Sequence, residues 1–266
     1  MDILTHICSG IAGATVVVPF AAGQLTKQWQ ILAVGAVGGA FPDVDAISMW
    51  SRFDVTFGRL FRLNHSRQVI YGEKFWYSHH AFFHSIMASL LIAAVFGLLA
   101  YSIYRLKYKT TFFLFCKKNI FIGIAFIAGY ILHLLGDMPT PASVWSGINF
   151  FWPNDNYIGG SGKIWWWNNY DIFLLIVLCI IINCILLFTF KSKRRIQRIM
   201  IILVSVFTIL LIEIQINNRK YDYSYNGNAS HYAEMERHSK EEQKRILGKP
   251  LYSAMEYLDR HLPFYF

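Results

Sequence analysis

The stretch "IFLLIVLCIIINCILLFTF", residues 172–190, decides the fold class of this chain. It contains no charged residue, and its few polar side chains include Asn183 and Thr189. A helix that crosses the hydrocarbon core of a bilayer needs about 20 mostly apolar residues. This stretch therefore predicts a membrane-spanning helix.

The rest of the chain repeats this pattern, with polar or Gly/Pro-rich breaks between the apolar runs. Of all residues 55% are hydrophobic and only 15% are charged, which is too apolar for an ordinary soluble domain. Two of the runs are rich in Gly and Ala, a composition that suits close helix packing. The further predicted spans are 81–104, 120–137 and 199–216, together with the Gly/Ala-rich runs 3–20 and 29–41.

These runs predict an all-α fold: a polytopic bundle of about six transmembrane helices formed by residues 1–216. Residues 217–266 are polar and of mixed charge, as in "HYAEMERHSKEEQKRILG". We expect them to form a soluble, partly helical C-terminal extension.

The distribution of basic residues predicts the orientation of the bundle. A net charge of +9 can indicate nucleic-acid binding, but Lys and Arg are spread over several loops, so no nucleic-acid partner is expected. Loops 105–119 and 191–198 are rich in Lys and Arg and are predicted to be cytoplasmic. In loop 138–170 the one basic residue is Lys163, and the loop has many tryptophans. We therefore expect this loop on the outer side of the membrane, with its Trp cluster near the membrane interface.

Loop 48–80 conflicts with this orientation, because it should also lie outside yet carries several basic residues. Long loops cross the membrane with less regard to their charge, and basic residues there can meet an anionic substrate. The residues concerned are Arg52, Arg59, Arg62, Arg67 and Lys74.

The His and Asp residues in or beside the predicted spans all fall at the outer end of the bundle. Ionisable groups in membrane segments are energetically costly and are functional by default. Their shared position predicts one site, formed by His6, Asp43, Asp45, His79, His80, His84, His133 and Asp137.

Metal coordination explains this combination of residues. Residues four apart share a helix face, so His133 can bind one ion together with Asp137. The same spacing relates His80 to His84. Imidazole with carboxylate suits zinc, and manganese or iron where carboxylates dominate. The ligands exceed the four of a structural zinc site, so we expect one or two ions, and two-metal sites suit phosphoester hydrolysis.

Asp43 and Asp45 are two residues apart and can converge only from turn or extended backbone, which Pro42 favours by ending the preceding helix. Plainer interpretations exist for single residues of the set. His6 taken alone is equally consistent with a packing role. Asp43 taken alone is consistent with capping a turn. The remaining histidines lie in polar segments and are interpreted as ordinary solvated residues: His65, His231, His238 and His261.

Five short motifs resemble the YdjM-like family of membrane-bound metal-dependent hydrolases. They are "TH" at 5–6, "PDVD" at 42–45, "HHAFFHS" at 79–85, "GYILHLLGDMPTPASVW" at 129–145 and "FWP" at 151–153. The resemblance covers about residues 1–155 and implies a bacterial cytoplasmic (inner) membrane protein. It implies as metal-site positions His6, Asp43, Asp45, His79, His84, His133 and Asp137. The family is also distantly similar to zinc-dependent phospholipase C and the S1/P1 nucleases, which are helical and hydrolyse phosphoesters.

The third motif departs from the family pattern, since His80, Ala81 and Phe83 replace an Arg, a Gly and a Thr. Helical spacing alone pairs His80 with His84, whereas the family pattern pairs His79 with His84. The two agree if His79 precedes the helix and His80 is an extra ligand or orients one. The absent Arg removes any substrate anchoring that it provides elsewhere in the family.

The resulting functional hypothesis is a hydrolase in which metal lowers the pKa of a water and polarises the scissile group. Asp45 or Asp137 is the expected general base, and the pattern does not choose between them. The expected partner is a membrane lipid, and the expected substrate is a phosphoester, lipid or lipid-linked small molecule.

Two alternatives belong to other functional classes. A divalent-metal binding or transport protein needs polar residues on a path to the other face, where the last two spans offer few beyond Asn183 and Glu213. A structural metal site in a membrane interaction protein predicts closed coordination without an open position for water.

Overall fold

The computed structural model describes residues 1–21, 25–227 and 231–261. Within these residues it is all-α, as predicted, and no β-strand is present. The helices are α1 (Ile3–Val17), α2 (Leu25–Ala40), α3 (Arg67–Gly72), α4 (Ile86–Lys107), α5 (Phe112–Asp137), α6 (Tyr170–Thr189), α7 (Arg194–Asn217) and α8 (Tyr232–His261). Short 3₁₀ segments cover Val18–Phe20, Pro42–Met49 and Phe82–His84, and a π turn covers Asp54–Gly58.

The prediction of about six membrane spans is confirmed. Among the described residues, α4, α5, α6 and α7 are each long and apolar enough to cross a membrane, and so is α1 together with the 3₁₀ segment Val18–Phe20 that extends it. Helix α2 and the 3₁₀ segment Pro42–Met49, which are bent by 46° to one another, are together long and apolar enough, and they make a sixth span if the bent pair crosses the membrane as one unit. This bend places the residues after Pro42 across the end of the bundle.

The predicted start of α4 is wrong by five residues. The helix begins at Ile86 rather than at residue 81, because Ser85 takes the N-cap position and its side chain accepts a hydrogen bond from the N–H of Ala88. His84 lies in a 3₁₀ turn before this cap, and His80 has a positive φ of 63°. The expected pairing of His80 with His84 on one helix face is therefore also wrong.

The predicted start of α5 is wrong in the opposite direction. The helix begins at Phe112 rather than at residue 120, because the Thr111 side chain caps it by accepting from the N–H of Leu114. Most of the basic loop expected at 105–119 is consequently helical. Lys117 and Lys118 lie in the first turns of α5, where long side chains can extend their charges to the membrane surface.

Helices α1, α2 and α5 pack with their backbones in contact. A Cβ added to Gly10 would lie 2.2 Å from the carbonyl oxygen of Gly35, and one added to Gly129 would lie 2.3 Å from the same atom. Small residues allow such close approach, and this contact supports helix association in a bilayer. Outside this trio, α4 packs against α5, and α6 and α7 pack against α1.

The long connections and the C-terminal segment meet at one end of the bundle. The N–H of Asn149 donates to the carbonyl of His80, and the N–H of Tyr223 donates to that of Gly162, at 2.8 Å each. Helix α8 packs on the start of α6, where Tyr252 contacts Tyr170. The tail is thus partly helical as predicted, while the domain division after residue 216 stays a prediction.

Candidate metal centre

All eight predicted site residues lie in one connected cluster at this end of the bundle. Four segments supply them: α1, the 3₁₀ segment after α2, the turn before α4 and the last turns of α5. Seven of the side chains are buried, and only the Asp43 carboxylate is partly exposed, at 24%. The residues are His6; Asp43 and Asp45; His79, His80 and His84; and His133 and Asp137.

The two aspartates of the "PDVD" motif contact opposite sides of the His84 ring. Pro42 begins the 3₁₀ segment, and its tight winding turns Asp43 and Asp45 in different directions. Asp45 Oδ2 lies 3.1 Å from His84 Nδ1, whereas Asp43 Oδ1 lies 3.8 Å from His84 Nε2. The expected turn backbone after Pro42 therefore brings both carboxylates to the same imidazole.

The centre of the cluster consists of two triangles of donor atoms that share one edge. The shared edge joins the Nε2 atoms of His84 and His133, which are 3.4 Å apart. Asp43 Oδ1 completes one triangle, 3.8 Å from His84 and 3.6 Å from His133. Asp137 Oδ2 completes the other, at 3.6 Å and 3.0 Å. The contact between His133 and Asp137 is the one that their spacing on α5 predicts.

Hydrogen bonds orient these imidazoles through their other nitrogen atom. His133 Nδ1 is 2.7 Å from the carbonyl oxygen of Gly39. Asp45 accepts from the Nδ1–H of His79 at 2.6 Å and from that of His84 at 3.1 Å. In metal sites the ligating histidine usually donates its second N–H to a carboxylate or carbonyl in this way. The arrangement presents Nε2 of each ring to an ion.

His6 adds a second imidazole beside this centre. Its ring stacks on His133 with a centroid separation of 3.6 Å, and its Nε2 lies 3.1 Å from Asp137 Oδ1 without hydrogen-bonding geometry. Neither ring nitrogen of His6 has a hydrogen-bond partner among the described residues. Burying a nitrogen atom without a partner costs free energy, and a metal ion bound here would give one of these nitrogen atoms a partner. The donor set therefore fits a metal.

A family model described as YdjM inner membrane protein matches residues 1–219. The chain belongs to the YdjM family. The match includes every candidate span and all eight site residues, and it ends before α8. No curated protein and no solved structure matches the chain. The family and the apolar helices together identify a multi-pass protein of the inner membrane, while the distant similarity to phospholipase C and the S1/P1 nucleases stays a prediction.

In this YdjM-family protein, three groups of side chains have the arrangement of metal ligands. The donor atoms within each group lie within 4.8 Å of one another. The groups are His79, His80 and His84; His6, His133 and Asp137; and Asp43, His84 and His133. Burial, together with the neighbouring imidazoles of His79 and His84, holds the pKa of His80 well below its usual range. His80 is therefore neutral and has a lone pair to offer, which suits the predicted role of an extra ligand.

Aromatic residues that sequence reasoning did not assign to the site form one wall of this centre. Trp145 contacts the rings of His79 and His80 at 4.9 and 4.5 Å, and its indole N–H donates to the carbonyl of Tyr71. The ring of Tyr71 stacks on His79 at 4.9 Å. The expected interfacial position is wrong for Trp145 and Trp165, which are only 6% and 0% exposed. Trp145 is the last residue of the motif that begins at Gly129 and contains His133 and Asp137. Its position in that motif was the sequence feature that could have assigned it to the site.

Proposed function

We propose that this YdjM-family chain is a membrane-bound metal-dependent hydrolase that cleaves a phosphoester in a lipid or lipid-linked substrate. One observation carries the proposal: the two triangles of donor atoms built on His84 and His133 have edges of 3.0 to 3.8 Å. Neighbouring ligands around a tetrahedral zinc ion are about 3.4 Å apart. Each triangle therefore has the size of three protein ligands, which is the number that catalytic zinc sites use.

Imidazole and carboxylate donors favour zinc, and manganese or iron are the alternatives. Because each imidazole nitrogen offers one lone pair, the two triangles that share His84 and His133 describe one ion position, and the adjoining histidines suit a second ion. Such an ion supplies a water of lowered pKa and polarises the oxygen of the scissile group. In this proposal the donors are His84, His133 and Asp137, with Asp43 on the exposed side.

The carboxylates differ in what they can do for the reaction. Both oxygens of Asp45 accept from imidazoles, which suits a residue that orients His79 and His84. Asp137 contacts His133 through Oδ2 and the N-terminal amine through Oδ1. Asp43 is the partly exposed carboxylate, so an entering water meets it first. It therefore joins Asp45 and Asp137 as a candidate for the group that accepts the proton.

The transport alternative receives less support than hydrolysis. The stretches 7–42, 85–132 and 172–212 contain no Asp, Glu or His. A divalent ion that left the cluster for the other face of the membrane would therefore find neither carboxylate nor imidazole along these spans. The side-chain amide of Asn183 on α6 instead donates hydrogen bonds to Thr15 on α1 and Ser205 on α7.

The metal centre is proposed to face the periplasm. The connections at the opposite end of the bundle carry Lys and Arg, as the cytoplasmic loops of membrane proteins do. In intact cells an impermeant maleimide should label a cysteine placed at Ser161, beside the centre, and not one placed at Lys109, in a background without the native cysteines. The reverse labelling pattern would place the centre in the cytoplasm.

Metal content tests the proposal directly. Purified wild-type protein should contain one or two zinc or manganese ions per chain, and His133→Ala and Asp137→Ala should lose them. His231→Ala is the control, because that side chain is 71% exposed and belongs to none of the three groups of possible metal ligands. The metal-loaded wild type should hydrolyse bis(p-nitrophenyl) phosphate, and the two depleted variants should not. A wild type that binds neither metal after reconstitution would contradict the proposal.

A further inference from the structure

A second feature of the bundle is an apolar groove between α5 and α7. Its volume is about 880 Å³, and α1 and α6 form its floor. Both α5 and α7 pack against α1. The floor on α1 includes Ala12 and Gly13, whose small side chains leave space, and the walls carry Ile131 of α5 and Ile212 of α7. We call this feature the α5–α7 groove.

The length of the groove matches one leaflet of a bilayer. On α7 its lining extends from Ser205 to Asn217, which corresponds to about 18 Å at 1.5 Å per residue. The hydrocarbon of one leaflet is about 15 Å thick, half of a core of about 30 Å. All four helices around the groove are candidate membrane spans. A hydrocarbon chain therefore fits both the depth and the chemistry of the groove.

The outer end of the groove adjoins the metal centre. Met1 and Gly136 line the groove, and a Cβ added to Gly136 would lie 2.7 Å from Met1 Cε and 3.3 Å from His6 Cε1. The amine of Met1 lies 2.5 Å from Asp137 Oδ1. Met1 and Gly136 thus contact the groove on one side and the metal-site residues on the other.

Polar residues border the groove at this same outer end. Ser161, Lys163, Glu213 and Asn217 line it there; Lys163 is exposed, and the Glu213 carboxylate accepts a hydrogen bond from the Asn217 side chain. A lysine ammonium is a common binding group for phosphate. The groove therefore combines an apolar interior of one-leaflet depth with a cation at the end that lies beside the metal centre.

We propose that the α5–α7 groove binds one hydrocarbon chain of a membrane phospholipid whose phosphate lies near Lys163. The bound lipid is then held with its headgroup beside the metal centre. This inference deepens the proposed function and rests on it for the reaction, but chain binding can be measured without any reaction.

The test uses phosphatidylglycerol with a photoreactive diazirine at the end of one acyl chain, reconstituted into proteoliposomes with the full-length protein. After illumination, mass spectrometry should locate the label at the inner end of the groove, on residues such as Val16, Val17 and Ser205. Ile209→Trp should lower this labelling about tenfold, the change that about 1.4 kcal/mol of binding free energy makes. Leu210→Trp is the matched control, because Ile209 and Leu210 are 58% and 55% exposed but only Ile209 lines the groove.

Lys163→Gln tests the headgroup contact. It should weaken groove labelling by phosphatidylglycerol while leaving labelling by an uncharged diacylglycerol probe unchanged. Label spread evenly over the lipid-facing surface of α4, with Ile209→Trp no different from Leu210→Trp, would overturn the inference.

Hydrolysis of bis(p-nitrophenyl) phosphate separates this inference from the proposed function. If the protein hydrolyses this soluble ester but the photolabel does not mark the groove, chain binding is wrong and the hydrolase stands. If the label marks the groove and no ester is cleaved, the lipid site stands and the hydrolase is wrong.

Discussion

Gly39 in α2 touches both of the helices that carry metal-site histidines, so Gly39→Ala perturbs the centre without removing a ligand. A Cβ at this position would lie 2.2 Å from the carbonyl oxygen of His6 and 3.1 Å from Gly10 Cα. The carbonyl oxygen of Gly39 itself lies 2.7 Å from His133 Nδ1. The substitution therefore acts on His6 and His133 together.

The size of the effect follows from these distances. Ordinary contact begins at 3.4 Å, so α1 and α2 must separate by about 1.2 Å to relieve the 2.2 Å approach. Overpacking of this kind costs about 1–3 kcal/mol. Metal–ligand distances tolerate changes of only about 0.2 Å, and loss of the hydrogen bond that orients a ligand lowers metal affinity by about 10–100-fold. We expect Gly39→Ala to lower both the thermal stability and the zinc affinity.

The assay compares thermal unfolding in detergent with zinc affinity from chelator competition on the monodisperse fraction. Gly123→Ala is the matched control, because it lies on α5 with His133 but a Cβ there meets nothing within 4 Å. It should bind zinc as the wild type does and be no less stable, since alanine is about 1 kcal/mol more favourable than glycine in a helix. Wild-type stability and zinc affinity in Gly39→Ala would refute the reasoning.

Two further predictions concern protonation of the centre and docking of the tail. Burial alone would lower the pKa of His84, but the carboxylates of Asp45 and Asp137 raise it to about 10 in the metal-free protein. Zinc must displace this proton, so zinc affinity should keep rising with pH up to about pH 10; an affinity that is flat above about pH 7 in chelator competition would contradict this. Asp171 Oδ1 accepts from Arg219 and Gln243 at 2.9 Å each. Asp171→Asn leaves the buried guanidinium without its ion pair, at a cost of about 3–5 kcal/mol, so trypsin should cleave α8 faster than in the wild type or in the surface control E241Q.

Much of the centre was predictable because its geometry is local. Residues four apart on a helix face the same way, so the spacing of His133 and Asp137 predicts their contact, and Nε2 and Oδ2 are 3.0 Å apart. Pro42 likewise predicts a turn that can present two carboxylates. The motifs shared with the YdjM-like family extended this local reasoning to seven of the eight residues, all but His80, and the eight do lie together.

Other features of the centre depend on contacts between segments distant in the chain. The spacing within "HHAFFHS" suggested a helix from residue 81, but the Ser85 cap begins α4 only at Ile86. The hydrogen bonds of Asp45 to both His79 and His84 need that non-helical turn. Trp145 is buried because its ring packs on those same histidines, although Trp in a membrane-protein loop is more often interfacial.

The membrane bundle follows from the amino-acid sequence alone, because a long apolar stretch in a bilayer can satisfy its backbone hydrogen bonds only as a helix. The sequence also sets which residue types are available to bind metal. Only the tertiary structure decided which nitrogen of each imidazole is presented, which carboxylate contacts it and which aromatic residues cover it. Those choices depend on the distances between α1, α2 and α5, which are short because Gly10, Gly35 and Gly129 have no Cβ at the point where the three helices meet.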